Sequence, residues 1–204
     1  MMKWIKRLLI LVLAASVVTG GAGLLRDQET LEEGLLRLHV VANSDAPEDQ
    51  AVKLRVKDAV VSMLEETMEA MPTVEEAKAY LETHLPQIEE TANRVLKELG
   101  SGLEAVVTFA RERFPTREYD TFRLPAGVYQ ALRITIGAGE GHNWWCVLFP
   151  SLCVPASTQG FTAAAEASGM SQTLAGTLAG DTTGYEIRFR LLDWLGEVKA
   201  SFAP

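Results

Sequence analysis

The stretch "LRLHVVANSDAPEDQAVKLRVKDAV", Leu36 to Val60, changes periodicity in mid-course. Up to Asn43 it alternates. Leu36, Leu38, Val40 and Ala42 share one side, and Arg37, His39, Val41 and Asn43 the other, the pattern of a half-buried strand. Beyond the junction, Val52, Val56, Val60, Met63 and Leu64 recur at helical spacing. The "NSDAPEDQ" between them reads as a helix start. Asn43, Ser44 and Asp45 offer capping oxygens, Pro47 sits near the first helical position, and Glu48 and Asp49 load the first turn with negative charge. Turn and capping chemistry explains this junction without catalysis. It does not explain the polar strand face of Arg37, His39 and Asn43 that leads into it.

Working outward, Pro72 ends the first helix and "TVEE" from Thr73 is a capping box that opens a second. Ala77, Leu81, Leu85, Ile88, Ala92, Val95 and Leu99 carry its apolar stripe, Pro86 is expected to kink or split it, and Gly100 closes it. Residues 103–110 read as a strand. A loop or short strand and a turn at Pro125–Gly127 lead to a second alternating strand containing Val128, Leu132, Ile134 and Ile136. "GAGEG" is a turn, and "WWCVLF" a further strand stopped by Pro150. Residues 155–180 are mostly Ala, Gly, Ser and Thr, with Glu166 the only charge, and read as a loop or linker. Residues 181–204 read as a strand turning helical near Leu191. The expected fold is α+β, a mainly antiparallel sheet with two or three helices packed on it. Its core spans residues 28–154, with the C-terminal strand–helix segment packing onto that core.

Composition narrows the function. With 48% hydrophobic residues in 204, the chain can build a core, and a net charge of -8 argues against nucleic acid as partner. Residues 1–22 carry Lys3, Lys6 and Arg7, then an apolar run from Leu8 to Val18 and small residues. That is the pattern of a signal peptide, or of a signal anchor if uncleaved. Removing them strips three positive charges and no negative ones, so an anionic membrane surface would repel the remainder. An exported chain permits a disulfide between Cys146 and Cys153, the only cysteines, with two buried thiols as the alternative. Two cysteines without suitably spaced histidines do not make a zinc site, and no other metal or cofactor is expected.

The histidines are His39, His84 and His142. His84 reads as a surface residue and His39 as a hydrogen-bonded structural one that Asp45 could orient. His142 and Cys146, four apart in an extended segment, are too distant for a thiol–base pair. Trp144 and Trp145 must point to opposite sheet faces, so one can anchor the core while the other, beside a glycine loop, anchors a partner. The residues alone therefore favour an exported binding protein over an enzyme.

The blocks "LRLHVVANSDAPEDQAVKLRVKDAV" and "LPAGVYQALRITIGAGEGHNWWCVLFPSLC", with the leader and the closing segment around Trp194, resemble stage II sporulation protein R of endospore-forming bacteria. The resemblance implies a signal made in the forespore and secreted into the intermembrane space. There it would activate a membrane-embedded aspartic protease that processes pro-sigma-E for the mother cell. It implies no catalytic residue, no cofactor, and membrane proximity through the partner or an uncleaved leader. The resemblance supplies no binding residues. From the reading above, the partner-binding candidates are His142, Asn143, Trp144 and Trp145, then Arg37, His39 and Asn43. The alternatives are an exported cell-wall or peptide hydrolase using His39, His142 or Cys146, and a wall-binding module using the two tryptophans.

Overall fold

The computed structural model describes residues 4, 7, 21–119, 122–150, 165, 170–179 and 185–202. Most of the leader, most of 155–170, and Cys153 lie outside the described residues. Helix α1 (21–34) enters strand β1 (Leu36–Val41), followed by α2 (Pro47–Ala70), α3 (Val74–Glu98) and β2 (Ala105–Phe114). The short strands β3 (Arg117–Glu118) and β4 (Arg123–Leu124) precede β5 (Gly127–Ile136) and β6 (Asn143–Phe149). Helices α4 (Gln172–Ala179) and α5 (Tyr185–Phe202) complete the order.

The main sheet runs β2-β5-β1-β6. β1 is parallel to β5 and antiparallel to β6, and β2 is antiparallel to β5. Two of the three pairings are antiparallel, as expected of this α+β fold. A parallel pair needs a long crossover, and the α2–α3 hairpin lies within it. That hairpin covers one sheet face. Val56, Val60, Leu64 and Met68 of α2 and Ala77, Leu81, Ile88 and Leu96 of α3 pack on Leu36, Leu38, Val40, Leu132 and Ile134.

A second core lies on the opposite face. There Leu31 and Leu35, Leu174 and Leu178 of α4, and Phe189 and Leu192 of α5 meet Phe114, Tyr129, Ala131 and Val147. β1 is consequently buried at every position, not half-buried as its alternation predicts. Alternation reports polarity, and here the polar side is covered too. Most of its polar groups are hydrogen-bonded inside the protein, which is why they are tolerated there.

Other expectations also change. Residues 185–190 are helical, not extended. A six-residue alternation is too short to decide the period, and in the helix Phe189 and Leu192 are buried. Gly196 lies so close to the Ala126 carbonyl that an added Cβ would come within 1.6 Å of it. Residues 172–179, inside the stretch read as a linker, form α4, with Leu174, Ala175, Thr177 and Leu178 buried. α3 runs through Pro86 as one helix. Pro86 and Glu82, whose carbonyl loses its helical partner, both face solvent. Thr73 caps α3 as expected, accepting from the Glu76 N–H at 3.3 Å. α2 instead starts at Ala46 with no side-chain cap, although Pro47 is at its first turn. The oxygens of Asn43, Ser44 and Asp45 are used elsewhere.

Candidate functional site

Ser44 Oγ accepts from the Ala46 N–H at 3.1 Å, and the oxygens of Asn43 and Asp45 hold a second loop. Asn43 Oδ1 accepts from the Ala138 N–H at 2.9 Å, and the Asn43 and Ala42 carbonyls accept from Glu140 and Gly141 at 3.1 and 3.0 Å. Asp45 accepts from the His142 N–H at 2.6 Å and pairs with His142 Nδ1. From the helix side, Asp49 receives Asn43 Nδ2 at 2.8 Å and Ser44 Oγ at 2.6 Å, and the buried Lys53 donates to the His142 carbonyl at 2.9 Å. The junction and the glycine loop are thus one clasp at the C-terminal end of β1.

Two glycines permit it. Gly137 has φ +56°, and a Cβ there would lie 2.3 Å from Asn43 Oδ1. At Gly141 a Cβ would lie 2.2 Å from the Ser44 carbonyl oxygen. Asp45 is held below the ordinary carboxylate range chiefly by the hydrogen bond from the His142 side chain, then by that from its backbone. Burial pushes the Lys53 amine down, and the charge of Asp45 partly opposes this. The clasp leaves His142 and Asn143 exposed.

Beneath it, on the second face, lies a cluster of aromatic and charged groups. His39 Nδ1 pairs with Glu112 Oε1 and Oε2 at 2.9 and 3.0 Å, and Nε2 with Asn143 Oδ1 at 2.9 Å. Arg133 donates to Glu112 at 2.6 Å. Burial alone would raise the Glu112 carboxyl. The hydrogen bond and charge of His39, with those of Arg133, outweigh it and hold the group below its ordinary value. The Trp145 ring stacks on His39 at 3.7 Å and meets the Phe114 ring edge-to-face at 4.7 Å. Trp144 points to the other face, against the first core, with Lys57 Nζ 4.7 Å from its ring centre.

The sequence candidates fall into two connected groups. His142 and Asn143 sit on the exposed corner and Asn43 in the clasp below it. Trp145, His39 and Arg37 belong to the cluster. Trp144 packs on the opposite face, so the adjacent tryptophans separate as alternation requires. Both are half-buried, so the expected division into one core and one exposed ring becomes a division between two faces. Asp45 orients His142, not His39. Cys146 is buried and disulfide-bonded. Cys153, the only other cysteine of the chain, lies outside the described residues. Sequence reading missed Glu112, Phe114, Arg117 and Tyr119. The signal available is the dense alternation of charge and aromatics in "RERFPTREY", of which the part from Phe114 reads as a loop or short strand.

Residues 32–159, more than half of the chain, match the family described as Stage II sporulation protein R. The chain belongs to that family. Its role therefore lies in sporulation. A relative named Stage II sporulation protein R, from Bacillus subtilis (strain 168), is 39% identical over 118 residues, which are 58% of this chain and 53% of the relative. The chain thus matches about half the length of that relative. No solved structure matches. The family region contains every residue of the clasp and of the His39–Glu112 cluster, so the two blocks that carry the resemblance are joined in space.

Proposed function

We propose that this chain is an exported signal that binds and activates a membrane-embedded aspartic protease, leading to processing of pro-sigma-E. The observation that carries this reading is the clasp. It ties the two family blocks together by backbone and side-chain hydrogen bonds and presents His142 and Asn143 on an exposed corner, with Trp145 behind them. Such an arrangement suits recognition, because the contact groups are fixed before a partner arrives. Activation then requires tighter binding to the active form of the protease than to the inactive one. A shift from mostly inactive to mostly active takes about 5.5 kcal/mol of differential binding, within reach of a few desolvated anchors.

The groups a cysteine hydrolase would need are committed elsewhere. Cys146 is disulfide-bonded, and both ring nitrogens of His39 are engaged. The test is reconstitution. The chain, the protease and the sigma precursor are co-expressed in a bacterium that lacks all three, with the chain directed to the compartment outside the inner membrane. Precursor cleavage is expected only when all three are present. Cleavage independent of the chain, or turnover of peptidoglycan or peptide by the purified chain, would refute the reading.

A further inference from the structure

Two arginines on the second face hold buried hydrogen-bond donors that have no partner among the described residues. Arg37, in the central strand, is fully buried. Its Nε donates to the Cys146 carbonyl at 3.3 Å and its Nη2 to the Tyr119 hydroxyl at 2.7 Å, while Nη1 is buried with no partner. Arg117, in β3, is half-buried, and its Nε is also buried and unpartnered. Among the described residues no carboxylate pairs with either guanidinium. Glu112, the nearby acid of the cluster, is taken by His39 and Arg133.

The two guanidiniums share one aromatic floor. Arg37 lies 4.3 Å from the centre of the Phe114 ring and Arg117 5.2 Å from that of Trp145, and those two rings are in edge-to-face contact. Tyr119 completes the group. Its hydroxyl accepts from Arg37 and keeps its own proton to donate, which burial favours by raising the phenol above its ordinary pKa. Removing a charge from water is costly, and cation–π contacts return only part of that cost. A buried arginine with one unpartnered N–H, and a second orphaned guanidine N–H on the adjoining ring, in a chain of net charge -8, together suit an anion.

We propose that Arg37 and Arg117, with the Tyr119 hydroxyl, bind a carboxylate supplied by an acidic side chain of a polypeptide partner. A planar carboxylate fits guanidinium forks edge-on. Phosphate sites typically draw on backbone N–H nests or helix N-termini, and the donors here are side chains alone. The polypeptide source follows from position. Trp145, which forms the floor, is two residues from Asn143 on the exposed corner, so a chain docked on that corner can insert an acidic side chain here. This source rests on the partner-binding reading; the carboxylate site does not.

The test uses the isolated, isotope-labelled full chain, so it can fail while protease activation stands. Arginine Nε–H signals are followed by NMR during titration with acetate, with a Gly/Glu peptide, with its Gly/Gln counterpart and with inorganic phosphate. The Arg117 signal is assigned from its absence in Arg117→Gln. Saturable shifts with acetate and with the Glu peptide are expected, the peptide acting at lower concentration. Arg117→Gln, which spares the buried Arg37, should weaken peptide binding by about tenfold or more, the loss of one charge-assisted pair. Tyr119→Phe should weaken it less, with some loss of stability because Arg37 Nη2 loses its acceptor. No saturable shift, equal response to the Gln peptide, or tighter binding of phosphate would overturn the proposal. Acetate binding with no gain from the Glu peptide would overturn the polypeptide source.

Discussion

At the residue scale, the His39–Glu112 pair and Trp145 decide most of what the second face does. Glu112 has a depressed pKa in the folded protein, so near and below its ordinary value of 4.5 the unfolded chain binds more protons. Its contribution is complete above that range and is lost as pH falls through it. Glu112→Gln should therefore flatten the fall in stability on acidification, measured as urea midpoints between about pH 7 and pH 3. An unchanged slope would show that the carboxylate is not coupled to His39 and Arg133 as the geometry indicates. Trp145→Ala removes the stack on His39 and the contact with Phe114, and Trp144→Ala removes packing on the first core. Each should lower stability by about 1–3 kcal/mol in thermal melts, less than a fully buried ring because both are part-exposed. Only Trp145→Ala should also impair protease activation at equal amounts of folded protein.

At the element scale, the clasp depends on backbone approach. Gly141→Ala should cost more than about 2 kcal/mol, because its Cβ would meet backbone and neither loop can yield without breaking hydrogen bonds. Gly34→Ala, with nothing within 4 Å, is the control and should be close to neutral. Denaturant unfolding distinguishes them. α4 gives a second test. Leu174→Ala should cost about 2–4 kcal/mol, since the side chain is fully buried in the second core. A neutral result would restore the linker reading of that segment. Most elements were legible because their signals are local: the alternation of Leu36–Asn43, the stripe from Val52 to Leu64, the Thr73 capping box and the Gly100 stop. α4 was not, since an Ala-, Gly- and Thr-rich helix carries little contrast between faces. The helical start of α5 was not, since its first six residues fit a strand equally well. The Asn43 and Asp45 oxygens look like caps in the sequence because their acceptor role depends on a loop about a hundred residues away.

For the whole molecule, a strand covered on both sides turns a polar edge into a buried polar layer. Arg37 and His39 could be seen in the sequence as unexplained. Their partners Tyr119 and Glu112 could not, because β1 is brought near them only by its pairing with β5 and by the pairing of β2 with β5. Glu32 shows the same logic. This buried carboxylate joins α1 to the Val128 N–H at 3.3 Å and to Lys199 of α5 at 2.6 Å, fastening the second layer to the sheet. The molecule thus offers a rigid scaffold whose two family blocks meet at one exposed corner. The direct measurement is precursor cleavage in the three-component co-expression, comparing the wild-type chain with a His142→Ala, Asn143→Ala double variant. His142 pairs with Asp45 and Asn143 with the buried His39, so the variant is expected to lose some stability; compared at equal amounts of folded protein, it is expected to have lost most of the cleavage. A double variant that folds normally and still drives cleavage at the wild-type level would contradict the assignment of this corner as the signalling surface.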